Sequence, residues 1–121
     1  MEPFALGNKT QEYDEAQTLN VKQLAGVGTV TWNLQTQQNA EVVLTGNITM
    51  AAPLGWKKGR LAMIEIIQDS TGGRTVGWAS QFKDVATLSL NSTANQSTVL
   101  VFKCIDNGAL MLISSKQCTR A

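Results

Sequence analysis

Histidine is absent from the sequence, and cysteine is scarce. Without an imidazole, neither a Ser–His nor a Cys–His nucleophile pair can form, and no histidine can hold a metal ion. The two cysteines form no CxxC motif. Cys104 lies in an apolar run and is expected to be buried, whereas Cys118 lies in a polar C-terminal tail. We expect free thiols in a reducing compartment, with a disulfide as the alternative.

Charge is also low, because charged residues make up 16% of the 121 residues and the net charge is +1. A general nucleic-acid binder is usually far more basic, so no nucleic-acid partner is expected. No apolar run approaches the length of a membrane span, so no membrane partner is expected. The N-terminus lacks a basic segment followed by an apolar one, so no signal peptide is expected and synthesis in a cytoplasm is favoured.

Proline is rare, with two residues, while glycine, threonine, asparagine and glutamine are abundant. From residue 28 onward, apolar and polar residues alternate with the period of two that is typical of β-strands. About eight short strands are predicted, at 29–35, 41–45, 48–50, 61–68, 74–78, 86–90, 98–105 and 109–113. We therefore predict an all-β domain over 27–121, an eight-stranded antiparallel β-sandwich resembling a jelly roll.

Three sequence segments predict tight turns between these strands. Gly46-Asn47 and Asn107-Gly108 are residue pairs that favour turns, and Asn-Gly is the strongest short signal for a hairpin. The segment 69–73 contains Asp, Ser and two glycines, and it predicts a hairpin between the strands 61–68 and 74–78. The same segment lacks the spacing of a phosphate-binding P-loop.

Residues 1–26 differ in composition from the rest of the chain. They hold four of the nine acidic residues, and their apolar residues are sparse and follow no period. We predict an extended N-terminal arm, with a floppy terminus as the alternative. The expected anchors of this arm on a partner are its larger apolar and aromatic residues: Phe4, Leu6, Tyr13, Leu19 and Val21.

One loop combines an aromatic residue with three cations: Trp56, Lys57, Lys58 and Arg60. Such a patch suits a phosphate, a sugar or an acidic protein surface. The alternative is a solvated turn whose tryptophan covers one end of the sandwich. The other two tryptophans, Trp32 and Trp78, lie in predicted strands and are expected to fill the core.

The acidic residues do not show the spacing of a calcium loop, and nothing predicts a pair of catalytic carboxylates. The candidates considered are Glu65, Asp69, Asp84 and Asp106. We therefore predict no catalytic residue, no metal site and no cofactor.

Several segments together resemble a small β domain of tailed bacteriophages. They are Val-Thr-Trp-Asn-Leu at 30–34, the Leu-Thr-Gly-Asn stretch within 41–49, and Gln-Asp-Ser-Thr-Gly-Gly-Arg-Thr-Val-Gly-Trp at 68–78. A strand rich in Val and Phe at 98–102 and the turn at 106–108 follow. The resemblance covers about 28–113. It departs from the family where Ala79, rather than proline, follows Trp78.

The resemblance implies a structural role in the virion and names no catalytic residue. Such domains occur in small head proteins and in tail fibres or spikes. We predict a capsid decoration or cement protein on the capsid surface that binds the major capsid protein and itself, as a dimer or trimer. The alternative is a tail-fibre or spike domain that binds a host surface glycan through Trp56 or Tyr13. A small polysaccharide-degrading enzyme is a third, weaker hypothesis.

Overall fold

The computed structural model describes residues 21–120. Within this range the backbone forms nine β-strands in two sheets. The strands are β1 (Lys22–Leu24), β2 (Gly28–Val30), β3 (Asn39–Leu44), β4 (Ile48–Met50), β5 (Leu61–Gln68), β6 (Val76–Trp78), β7 (Phe82–Lys83), β8 (Ser97–Cys104) and β9 (Leu110–Cys118).

The chain winds as a β-solenoid of about four turns. From β1 to β6, successive strands alternate between a long sheet, in the order β1-β3-β5-β8-β9-β7, and a short sheet, in the order β2-β4-β6. The pairs β1–β3, β3–β5, β2–β4 and β4–β6 are all parallel. Each strand therefore pairs with the strand one coil earlier, rather than with its neighbour in the sequence.

Inward-facing side chains stack in ladders from coil to coil. Leu24, Val42 and Ile66 are register partners in the long sheet, and all three are buried. Val30 and Met50 are register partners in the short sheet and are also buried. Stacking identical positions of successive coils buries a continuous apolar column, which is the main source of stability in solenoids.

The corners between the two sheets stack in the same way. The side-chain oxygen of Asn47 accepts a hydrogen bond from the backbone N–H of Thr75 one coil later, at 3.0 Å. The backbone N–H of Ile48 donates to the carbonyl of Thr75, also at 3.0 Å. These bonds satisfy backbone groups that a bend would otherwise leave unpaired.

An antiparallel hairpin, β8–β9, interrupts the parallel pairing of the long sheet, and β7 pairs with β9 in parallel at the sheet edge. β8 pairs with β5 and with β9 in antiparallel register. The turn of this hairpin has positive φ at Asn107 (55°) and Gly108 (80°), and the N–H of Ala109 donates to the carbonyl of Asp106 at 2.9 Å. This is a type I′ turn, so the Asn-Gly prediction is confirmed.

The core lies between the two sheets. Trp32 is fully buried, as predicted, and its ring packs edge to face on Phe102 with centroids 6.0 Å apart. Cys104 is buried and Cys118 is half-buried, and both are free thiols. The other fully buried apolar side chains include Leu34, Val42, Leu44, Met50, Ile64, Leu100 and Leu110.

The predicted eight-stranded antiparallel, jelly-roll-like sandwich is wrong. The alternation of apolar and polar residues correctly predicts the positions of most strands, and the predicted strand 61–68 matches β5. However, β5 and β6 do not form a hairpin, because the segment between them is a corner that takes the chain to the other sheet. A period of two orients side chains towards or away from the core, but it carries no information about the partner strand.

The predicted arm falls mostly on residues 1–20, which lie outside the described residues. Phe4, Leu6, Tyr13 and Leu19 therefore stay predicted anchors. Val21 is about half exposed, and residues 22–24 form β1 of the long sheet. The part of the chain described by the structure has no helix long and apolar enough to cross a membrane.

Candidate functional site

The turn that follows β5 is fixed by two side chains. The amide of Gln68 is buried; its oxygen accepts from the N–H of Arg74 at 3.0 Å and its NH₂ donates to the carbonyl of Arg74 at 2.9 Å. Asp69 Oδ1 accepts from the N–H groups of Thr71 and Gly72, both at 3.0 Å. The segment is therefore a corner whose backbone is held by its own side chains.

Asp69 also holds the guanidinium of Arg74, with Nη2 3.2 Å from Oδ2. The hydrogen bond from Arg74, followed by that from the Gly72 N–H, lowers the pKa of Asp69 below its ordinary value of 3.8. The carboxylate is thus ionised at neutral pH, and it positions Arg74 at the start of the segment that leads into β6.

The same corner lies against the segment 91–95, which precedes β8. The N–H of Gly73 donates to the carbonyl of Ser92 at 2.9 Å, and the N–H of Asn95 donates to the carbonyl of Asp69 at 3.0 Å. A Cβ at Gly72 would lie 2.8 Å from both the Ser92 carbonyl oxygen and the Ala94 nitrogen. Only glycine permits this approach, so the two segments are held at a fixed distance.

A groove of about 340 Å³ lies between β6 and the segment 85–92. Arg74 and Trp78 are among its lining residues, and both are half-buried. The indole of Trp78 packs on Phe82 and Phe102, with centroids 5.0 and 5.7 Å away. The groove is lined by Gly73, Arg74, Thr75, Val76, Trp78, Val85, Leu88, Ser89, Leu90 and Ser92.

The lining combines an aromatic face, small hydroxyl groups and one cation. Arg74 is the one ionisable side chain among the lining residues, and its Nε is buried without a hydrogen-bond partner. Ser89 and Ser92 are exposed and contribute hydroxyl groups, each of which both donates and accepts. This set suits a neutral, hydroxyl-rich ligand with an apolar face, and it has no carboxylate that could serve as an acid or base.

The structure brings the predicted Trp56 patch together on one side of the hairpin turn. Trp56 is half-buried, and its indole N–H donates to the carbonyl of Ala109 at 2.9 Å. Arg60 donates to the carbonyl of Gly55 at 2.7 Å, and Lys58 pairs with Asp106 at 2.9 Å. Lys57 is exposed. Since three of the four side chains already have partners within the chain, a ligand-binding role for this patch stays a prediction.

Three of the four acidic residues considered from the sequence have separate partners. Asp69 pairs with Arg74, and Asp106 pairs with Lys58. Glu65 accepts from Ser97 at 2.8 Å and pairs with Arg120. Within residues 21–120, no three Asp, Glu or Cys side chains cluster closely enough to hold a metal ion.

The groove was missed from the sequence. Trp78 is expected to fill the core, and it does pack on the core residues Phe82 and Phe102, but it is only partly buried and also lines the groove. The residues 86–90 were predicted as a strand and form none. Their mixture of leucines with serine and threonine could have indicated a covering loop that buries some side chains and exposes others.

One comparison with known proteins bears on this arrangement. Residues 29–105, more than half of the chain, match a family model described as "Putative phage tail fibre C-terminal domain". The chain belongs to this family. The match covers β2 to β8, so it includes the corner, Trp78 and the segment 85–92. No curated protein and no solved structure matches the chain.

Membership in the tail fibre family supports the predicted phage structural protein and a place in the virion. It favours the tail-fibre alternative over capsid decoration, and it gives no support to the capsid surface as the location. Domains of this kind are generally structural rather than enzymatic. Binding to the major capsid protein stays a prediction.

Proposed function

We propose that this chain is a tail fibre domain that binds a glycan of the host cell surface in the groove between β6 and the segment 85–92. The observation that carries the proposal is the partly buried Trp78, which lines the groove together with Arg74, Ser89 and Ser92. The tail fibre family supports the setting, because fibres are the virion parts that meet the host surface.

Sugar chemistry matches this lining. A pyranose ring presents a face of C–H groups that stacks on an aromatic ring, and its hydroxyl groups need donors and acceptors at the rim. Trp78 supplies the aromatic surface, and Arg74, Ser89 and Ser92 supply the polar groups. The volume of about 340 Å³ is near the lower limit for small-ligand sites, which suits a short sugar segment rather than a long chain.

The site is also rigid enough to be selective. Arg74 is held by Asp69 and by Gln68, and the Ser92 carbonyl is held by Gly73. The carbonyl of Ser89 accepts from Gln117 of β9 at 3.0 Å, so the opposite wall is also anchored. Side chains that are already positioned lose little freedom when a ligand binds, which raises affinity.

The test measures binding of the purified chain to surface polysaccharide extracted from the bacterial strain that the phage infects. We expect Ser89→Tyr to abolish binding, since it fills the groove from an exposed position. Trp78→Phe keeps the contacts with the core and should weaken binding about threefold to tenfold. Ser70→Tyr is the matched control, because Ser70 is exposed and does not line the groove.

Thermal unfolding of each variant shows whether the fold is intact. If Ser89→Tyr binds the polysaccharide as the wild type does, the groove is not the site. If the wild type does not bind the polysaccharide at all, the glycan proposal fails while the family assignment stands.

A further inference from the structure

The groove between β6 and the segment 85–92 has an aliphatic wall in addition to its tryptophan. The wall consists of four lining residues that are half-buried and packed against the core: Val76, Val85, Leu88 and Leu90. Each of them therefore leaves part of its apolar surface uncovered in the groove. A sugar hydroxyl group loses hydration without gain against such a wall, whereas a methyl group is stabilised when it is removed from water there.

The electrostatics of the groove favour a neutral ligand. Arg74 is the one ionisable side chain among the lining residues, and its Nη2 atom lies 3.2 Å from the carboxylate of Asp69. The guanidinium thus already has a counter-charge within the chain. A negatively charged ligand would meet the field of an ion pair rather than that of a free cation, so it gains little in this groove.

The polar groups of the lining are complementary to an amide. Within residues 21–120, the guanidinium of Arg74 donates one hydrogen bond, to Asp69, which leaves further N–H groups for a ligand. A carbonyl oxygen is the acceptor that these groups require. The exposed hydroxyl groups of Ser89 and Ser92 can accept from an amide N–H. The groove therefore offers a donor, an acceptor and an aliphatic surface beside an aromatic ring.

We propose that the groove binds the acetamido group of an N-acetylhexosamine within the host glycan. The inference rests on the proposed glycan site and names the class of sugar that this site takes. The sugar ring stacks on Trp78, and the acetyl methyl group packs against the aliphatic wall. The acetyl carbonyl accepts a hydrogen bond from Arg74, and the amide N–H donates to Ser89 or Ser92.

A hexose without the acetamido group is bound less tightly by the same groove. It places a hydroxyl group or water against the aliphatic wall, and the loss of one methyl-sized group from an apolar pocket typically costs about tenfold in affinity or more. It also leaves the N–H groups of Arg74 without the carbonyl acceptor. We therefore expect an N-acetyl sugar to bind about tenfold or more tightly than its parent sugar.

Saturation-transfer NMR on the full chain tests the contact with the methyl group. The probes are N-acetylglucosamine and N-acetylgalactosamine, compared with glucose and galactose. We expect at least one N-acetyl sugar to bind more tightly than its parent by the factor given above, with the largest saturation at its acetyl methyl protons. Equal binding of the N-acetyl and parent sugars overturns the proposal, as does saturation confined to the ring protons.

Leu88→Asn tests the aliphatic wall. It should weaken binding of the N-acetyl sugar about tenfold and leave that of the parent sugar nearly unchanged, because the acetyl methyl group is the part of the ligand that packs on the wall. Leu54→Asn is the matched control, since Leu54 is 56% exposed and does not line the groove. A folded Leu88→Asn chain with the wild-type preference contradicts the proposal. The comparison of sugars on the wild type holds even if this variant does not fold.

Chemical de-N-acetylation of the host polysaccharide separates this proposal from the proposed function. We expect the wild type to lose binding to the de-N-acetylated polymer and to regain it after re-N-acetylation. N-formylation restores the amide without the methyl group, so it should restore binding only in part. If the chain binds the native and de-N-acetylated polymers equally well, the acetamido proposal fails while the glycan groove stands. If it binds neither polymer, the proposed function itself fails.

Discussion

Gly72 and Gly73 have nearly the same backbone conformation but different surroundings. Their φ angles are 74° and 73°, values that side-chain-bearing residues rarely adopt. A Cβ at Gly72 would lie against the backbone of Ser92 and Ala94, whereas a Cβ at Gly73 would meet nothing within 4 Å. Position 72 therefore requires glycine both for its backbone conformation and because there is no room for a side chain. Position 73 requires glycine for its backbone conformation alone.

This difference predicts unequal effects of alanine at the two positions. Gly73→Ala should lower the free energy of unfolding by about 1 kcal/mol, the cost of a left-handed residue. Gly72→Ala should lower it by about 3 kcal/mol or more, because the segment 91–95 must also move. Urea unfolding of the two variants measures both values. Equal losses would contradict the close approach described for Gly72.

The two glycines should also differ in how their substitution affects the groove. The N–H of Gly73 and the backbone at Gly72 position Ser92, which lines the groove. Displacement of the segment 91–95 by Gly72→Ala should therefore weaken polysaccharide binding as well as stability. Gly73→Ala leaves this segment in place.

At the scale of elements, the strands differ in how strongly the sequence predicts them. β5 and β8 are eight residues long and rich in β-branched residues, and both were predicted nearly to their ends. β7 has only two residues and was missed, because two residues show no period. The hairpin β8–β9 was predicted because its Asn-Gly turn is a local signal.

β3 offers a direct test of which face is buried. Val42 is fully buried and Val43 is 39% exposed, although they are adjacent and chemically identical. Val42→Ala should lower the free energy of unfolding by about 2 kcal/mol, whereas Val43→Ala should cost about 0.5 kcal/mol or less. Thermal or urea unfolding measures the difference. A larger loss for Val43→Ala would contradict the register of β3.

At the scale of the whole molecule, the core is described for residues 21–120. Its buried apolar side chains run from Leu24 to Leu110, and the ladders between coils connect them. One of them, Leu24, belongs to the predicted arm over residues 1–26, and the others lie in the predicted β domain. We therefore expect the fold of the described residues not to depend on residues 1–20.

Removal of residues 1–20 tests this independence. We expect the chain 21–121 to keep its β-sheet circular dichroism spectrum and a melting temperature within a few degrees of the full chain, because all the side chains of the described core lie between Leu24 and Leu110. Loss of attachment to the virion with an intact fold would support the predicted arm. Unfolding of the truncated chain would show that the solenoid needs residues before β1.

The coils of the solenoid differ in length, so the sequence carries no constant repeat. Eighteen residues separate Leu24 from its partner Val42, and 24 separate Val42 from Ile66. Repeat architectures are recognised by a constant period. Corners of unequal length remove that period while leaving the ladders intact.

The sequence by itself determined the all-β class, the positions of the main strands, the hairpin turn at 106–109 and the phage family, because these follow from local alternation and short motifs. Only the tertiary structure decided the partner of each strand, and with it the solenoid. It also brought Arg74 and Trp78 beside the segment 85–92. These placements depend on which strands of successive coils pair with each other. The alternation of apolar and polar residues predicts which face of a strand a side chain lies on, but not which strand lies beside it.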